Sequence, residues 1–125
     1  MPDCSLPRTE RLRSLGAVRR MFESGESGFI FPFRYVWFAE ADDRMSAEVL
    51  FSVPKKFHKR ANRRNLLKRR TREAYRLSRE ALRRSVREAG VEIDVALVYS
   101  VKECQSYRSI AYAVQRILER IRTRI

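Results

Sequence analysis

The sequence predicts an α+β domain, an α/β sandwich in which a long basic helix crosses between strands of one sheet. Three stretches carry this expectation. An aromatic and β-branched run covers Phe29–Phe38, and a nearly continuous apolar run covers Ile93–Ser100. Between them, Ala61–Ala89 holds its apolar residues at helical spacing.

The elements follow in order. Ser14–Glu23 reads as a short helix, with Ser14 as N-cap, Leu15, Val18, Met21 and Phe22 on one face, and Gly25 after its end. Phe29–Phe38 reads as a strand, with Pro32 marking its early part as an edge or lead-in. Ala39–Arg44 is a polar turn and Ser46–Val53 a further strand. Lys55–Arg60 is a basic connection into the long helix, whose inner face is Leu67, Thr71, Ala74, Tyr75, Ala81 and Leu82, with Gly90 as its stop. Ile93–Ser100 suits a strand buried on both faces. Ser106 caps a last helix that carries Ile110, Ala113, Val114, Ile117 and Ile121. No repeat or low-complexity tract interrupts the chain, so 125 residues form one domain, 1–125, with residues 1–9 as a flexible lead-in.

The charge is one-sided: 28 Lys and Arg face 15 Asp and Glu, a net charge of +13. Such a chain attracts polyanions, of which nucleic acid and anionic membrane are the usual ones. No apolar run reaches the roughly 18 residues that span a membrane, and the N-terminus has no apolar signal core. A soluble cytoplasmic protein without a membrane partner is expected. Cys4 and Cys104 read as reduced thiols, and with His58 as the lone histidine no zinc site of ordinary spacing can be built.

The cations cluster. Lys55–Arg72 contains ten of them and no acid. Residues four apart share a helix face, so Arg60, Arg64, Lys68 and Arg72 form a cationic ridge headed by Asn65. Arginine can fork onto phosphate, and lysine acts as a point charge. After Arg72 the pairs Arg76–Glu80 and Arg84–Glu88 have the look of an ordinary solvated face. Aromatic residues at alternating positions of Phe29–Phe38 suit core packing and, where a face stays open, stacking on unpaired bases. Catalytic motifs are missing: Glu40, Asp42 and Asp43 sit in a turn-like segment, and His58, among cations, suits phosphate proximity better than general-base work. No catalytic residue and no metal ligand is expected on the protein.

At this point a resemblance emerges. Phe51-Ser52-Val53-Pro54-Lys55-Lys56, followed by Arg63-Arg64-Asn65-Leu66-Leu67-Lys68-Arg69-Arg70-Thr71-Arg72-Glu73-Ala74-Tyr75-Arg76, resembles the signature of the bacterial ribonuclease P protein component. Glu10–Arg13 with Met21–Gly25 resembles the family's opening, and Ile93–Val98 its fourth strand. Leu66 stands where the family motif has its second arginine, and the step from Lys55-Lys56 to Arg64 is slightly longer than in the family. The resemblance implies the order α-β-β-β-α-β-α, a four-stranded sheet and a left-handed crossover through the long helix. It implies a protein subunit of an RNA-catalysed endoribonuclease that removes the 5′ leader of precursor tRNA. Its partners would be the ribonuclease P RNA and precursor tRNA, with Mg²⁺ on the RNA and no obligate protein partner. Arg60, Arg63, Arg64, Asn65, Lys68, Arg69 and Arg72 would hold the RNA subunit. Phe22, Arg34, Val36, Lys55 and Lys56 would line a leader cleft between first helix and sheet. The strongest rival reading is a basic ribosomal or ribosome-assembly protein. A DNA-binding helix-turn-helix protein is opposed by the long helix, and a stand-alone nuclease by the lack of an acid cluster.

Overall fold

The computed structural model describes residues 15–41 and 45–125. The expectations for the 1–9 lead-in, Cys4, Glu10–Arg13, the Ser14 cap, Asp42 and Asp43 lie outside the described residues.

The order is α1 (Leu15–Ser24), β1 (Glu26–Ile30), β2 (Phe33–Ala41), β3 (Ala47–Ser52), α2 (Ala61–Ser78), α3 (Glu80–Ala89), β4 (Val91–Tyr99) and α4 (Tyr107–Arg122). The four strands lie in one sheet in the order β1-β2-β4-β3. β3 and β4 are parallel, so α2 and α3 form the crossover between neighbouring strands. The other pairings are antiparallel.

Three expectations change. The aromatic run is a hairpin rather than one strand: β1 and β2 pair around a two-residue turn at Phe31–Pro32, whose peptide bond is cis. Proline lacks the N–H that a strand interior needs, so the chain turns where Pro32 stands. β2 also runs on to Ala41, which puts Glu40 in a strand instead of a turn. The long helix is divided at Arg79. That residue keeps right-handed dihedrals, and its carbonyl accepts from Arg83 N at 2.9 Å, so α3 restarts at once. α2 packs on β3 and α4, while α3 packs on α4 and β4.

Side chains alternate across the strands, so the sheet has two distinct faces. Phe33, Tyr35, Trp37, Val49, Ile93, Val95, Leu97 and Tyr99 point to the main core beneath α2, α3 and α4. Leu67, Ala74, Tyr75, Leu82, Val86 and the α4 row Ile110, Val114, Ile117 and Ile121 fill it from the helices. Edge-to-face rings hold the packing: Phe33 on Tyr99 within the sheet at a centroid distance of 5.6 Å, and Phe51 on Tyr75 between the sheet and α2 at 5.8 Å. On the opposite face, α1 buries Met21 against Val36 and Ala96. β4 is thereby enclosed on both sides, which explains its unbroken apolar run. Gly25 lets α1 lie this close. A Cβ there would sit 2.6 Å from the Trp37 carbonyl oxygen and nearer still to that of Met21.

The expected ends of the last two helical elements are present. Gly90 takes the left-handed conformation, φ 66°, after α3. Ser106 Oγ accepts from Ser109 N at the start of α4.

His58 departs from its expected place beside phosphate. Its side chain is buried, its Nε2 donates to the Val101 carbonyl at 2.8 Å, and its ring stands edge-on to Tyr99 at 5.4 Å. Tyr99 in turn donates its hydroxyl to the Glu103 carbonyl and accepts from Gln105 N. Arg70 donates to the Gln105 carbonyl at 2.6 Å. The connection ahead of α2 is thus pinned to the loop ahead of α4. His58→Ala should cost about 3 kcal/mol of stability, because a packed ring and a buried hydrogen bond go together. Urea unfolding checks this through a lower midpoint at unchanged slope. A loss below about 1 kcal/mol would mean that the pin carries little.

Candidate nucleic-acid interface

The N-terminal end of α2 has an unfavourable charge for a helix start. Exposed amide N–H groups already make that end positive. Arg60 is the N-cap residue without a side-chain cap bond, and no acid stands in the first turn. Arg63, Arg64, Lys68, Arg69, Arg70 and Arg72 follow within three turns. Among the described residues, none of Arg60, Arg63, Arg64, Lys68, Arg69 and Arg72 meets a carboxylate. Further along the charges balance: Arg76 forks onto Glu73 at 2.6 Å, and Glu80 takes Arg83 at 3.7 Å and Arg87 at 3.9 Å.

The cations divide by position. Leu67, Thr71, Ala74 and Tyr75 are the buried face of α2. Arg64, Lys68 and Arg72 flank it, half-buried, on one side. Arg72 lies over the Phe51 ring of edge strand β3, 6.0 Å from its centroid. Arg64 Nη1 donates to the carbonyls of His58 and Lys59 at 3.1 and 2.9 Å, so it braces the connection as well as adding charge. Arg60, Arg63, Asn65 and Arg69 are exposed. The expected ridge is therefore the inner margin of a broader cationic surface. Leu66, at the motif position that lacks its arginine, is half-buried, and Arg70 is engaged with the loop before α4.

The α1-side face of the sheet supplies a second surface. The register lines up Phe29, Arg34, Val98 and Ser52 in a row across all four strands. The next row is Ser27, Val36, Ala96 and Leu50, and it carries the α1 packing residues. The first row lies beyond that packing: Arg34 is exposed, Phe29 is 54% exposed, and Val98 and Ser52 are half-buried. Phe31, in the adjoining turn, is 50% exposed. Lys55 and Lys56 are exposed just past the end of β3, on the same edge of the sheet. Of the expected cleft residues, Phe22, Arg34, Lys55 and Lys56 are open to solvent. Val36 is not: it is 6% exposed beneath Met21 and forms a floor. Of the aromatic run, Phe33, Tyr35 and Trp37 are core and Phe38 packs half-buried against the α1-side cluster, which leaves Phe29 and Phe31 as rings available for stacking.

The other end of this face is acidic. Glu48 stands opposite Asp94 in the β3–β4 register, Glu92 lies two residues along, and Glu40 pairs across with Glu92. Arg20 of α1 reaches Glu40 at 3.4 Å. Burial, then the neighbouring Glu48 and Glu92, push the Asp94 carboxyl up to about 6. An RNA strand laid on this face is therefore drawn to the Arg34 end and repelled from the Asp94 end.

No helix of the described residues is long and apolar enough to cross a membrane. The ribonuclease P family model matches residues 6–122. The chain is 31% identical over 121 residues to the ribonuclease P protein component of Porphyromonas gingivalis strain W83, covering 96% of this chain and 88% of that one. It is 39% identical over 89 residues to that of Chlorobaculum tepidum, covering 66% and 56%. Among solved structures, the ribonuclease P protein of Thermotoga maritima superposes with a TM-score of 0.69 at 24% identity, over 89% of this chain and 96% of that one. The Staphylococcus aureus ribonuclease P protein gives 0.65 at 18% identity, over 91% and 96%. These likenesses do not favour the ribosomal reading: this chain belongs to the ribonuclease P protein family.

Proposed function

We propose that this chain works by gripping the ribonuclease P RNA with the cationic surface of α2 while the open row of the sheet holds the 5′ leader of precursor tRNA. As a family member it takes part in an endoribonuclease complex. The chemistry of leader removal belongs to the RNA and its bound Mg²⁺, and the protein contributes no catalytic group. One observation carries this reading: a helix start loaded with cations that meet no carboxylate among the described residues, which a phosphate backbone would neutralise. Arg60, Arg63, Lys68, Arg69 and Arg72 take phosphates, Asn65 adds a directional hydrogen bond, and Arg64 does so while bracing the connection. Phe22, Phe29 and Arg34 contact unpaired leader bases and phosphates above the Val36 floor, with Lys55 and Lys56 at the mouth.

Two outcomes test the two surfaces separately. Each phosphate contact releases counterions, so Lys68→Ala with Arg69→Ala should flatten the log–log salt dependence of RNA-subunit binding by about one to two units. Arg84→Ala with Arg87→Ala removes the same charge further along the crossover and should leave the slope nearly unchanged. Equal behaviour of the two double variants at every salt concentration would make the attraction diffuse. For the sheet, Phe29→Ala removes a half-exposed ring and should leave folding intact. It should weaken binding of leader-bearing precursor about tenfold, the loss of one stacked base, and leave mature tRNA binding unchanged. Equal losses for both ligands would remove the leader from this face.

A further inference from the structure

On the acidic end of the α1-side face, Glu48, Glu92 and Asp94 bring one carboxylate oxygen each to within 4.8 Å of one another. Three ligands so placed were not visible along the chain, since Glu48 lies far from the other two in sequence. Parallel pairing of β3 with β4 sets Glu48 directly beside Asp94, and Glu92 follows two residues back on the same face. Asp94 is 6% exposed, and its Oδ1 accepts no hydrogen bond from the described residues. Glu92 is 8% exposed and Glu48 half-buried. A buried carboxylate oxygen without a donor is costly, and packing two more carboxylates against it adds like-charge repulsion. Arg20, the cation that α1 supplies nearby, is held at Glu40, 3.4 Å away, and its charge offsets only part of the repulsion that Glu48, Glu92 and Glu40 impose on Asp94.

We propose that Glu48, Glu92 and Asp94 form a binding site for a hard divalent cation of the Mg²⁺ or Mn²⁺ kind. The donor set is all carboxylate oxygen, which suits such ions and disfavours soft ones. An octahedral shell sets its oxygens about 3 Å apart when adjacent and about 4.2 Å when opposite, so a bound ion would draw at least two of the three pairs in to about 3 Å by side-chain rotation. The exposed side of Glu48 leaves room for water in the remaining positions. Neutralised in this way, the acidic end of the face would cease to repel a nucleic-acid strand lying along the sheet.

The test uses the isolated protein, so that metal held by RNA cannot contribute. Titration with Mn²⁺, followed by the loss of the free-ion paramagnetic resonance signal, should give one site per chain with a dissociation constant near or below about 1 mM. Glu48→Gln, at a half-buried position of an edge strand, should weaken that site at least about tenfold by removing one charged ligand. Glu103→Gln, an exposed change elsewhere, should leave it as it is. In parallel, Mg²⁺ should raise the melting temperature of the wild type above that in NaCl of equal ionic strength, and should do so far less for Glu48→Gln. The proposal is overturned if wild type and Glu48→Gln deplete Mn²⁺ alike, or if Mg²⁺ and matched NaCl give the same melting temperature.

Discussion

Cations crowd the start of α2, where the helix dipole is already positive, and the rest of the structure answers to that load. An isolated helix of this composition would gain nothing from its first turns. It is held instead by its buried face and by the connection before it. Leu67 and Tyr75 enter the core, Thr71 Oγ1 closes back onto the Leu67 carbonyl at 2.8 Å, and His58 fastens the approach to the segment after β4. Arg64 and Arg70 spend part of their donor capacity on loop carbonyls. Apolar burial thus fixes in place a surface whose own electrostatics oppose it. Such a surface gains most from a partner that brings many phosphates at once.

The sheet gives this helix its bearing. β4 is central, paired on one side with β2 and on the other with β3, and covered by helices on both faces. β3 leads directly into the connection that carries Lys55, Lys56 and His58, so the end of the sheet with Arg34 and Phe29 is also the end from which α2 departs. The two candidate RNA surfaces are neighbours for that reason. The opposite end of the same face collects Glu40, Glu48, Glu92 and Asp94, which gives the face an electrical direction along the strands.

Much of this was legible in the sequence because it rests on local patterns. Helical spacing marked the inner face of α2 and of α4, Gly90 and Ser106 marked ends, and the acid-free run of Lys55–Arg72 marked the cationic surface. What escaped depends on pairing between distant segments. Pro32 signalled an interruption, but only the register shows that it turns a hairpin and sends Phe33, Tyr35 and Trp37 inward while Phe29 stays out. Val36 has the parity of Arg34 yet is buried, because α1 covers its row and not the next. His58 sits among cations in the chain and against Val101 and Tyr99 in space. Nothing local distinguishes those two settings. The same holds for Glu48 and Asp94, which are remote in sequence and adjacent across β3 and β4.

In the proposed function the protein positions its RNA partners and the RNA subunit carries the reaction. The most direct measurement is cleavage of precursor tRNA at a Mg²⁺ concentration too low for ribonuclease P RNA alone, with the protein added in stoichiometric amount. The protein should restore release of the intact 5′ leader when the RNA is present, by adding cationic contacts that lower the cost of joining two polyanions. Without the RNA it should release none. Specific leader removal by protein that has been freed of RNA by nuclease treatment would instead place the reaction on the protein.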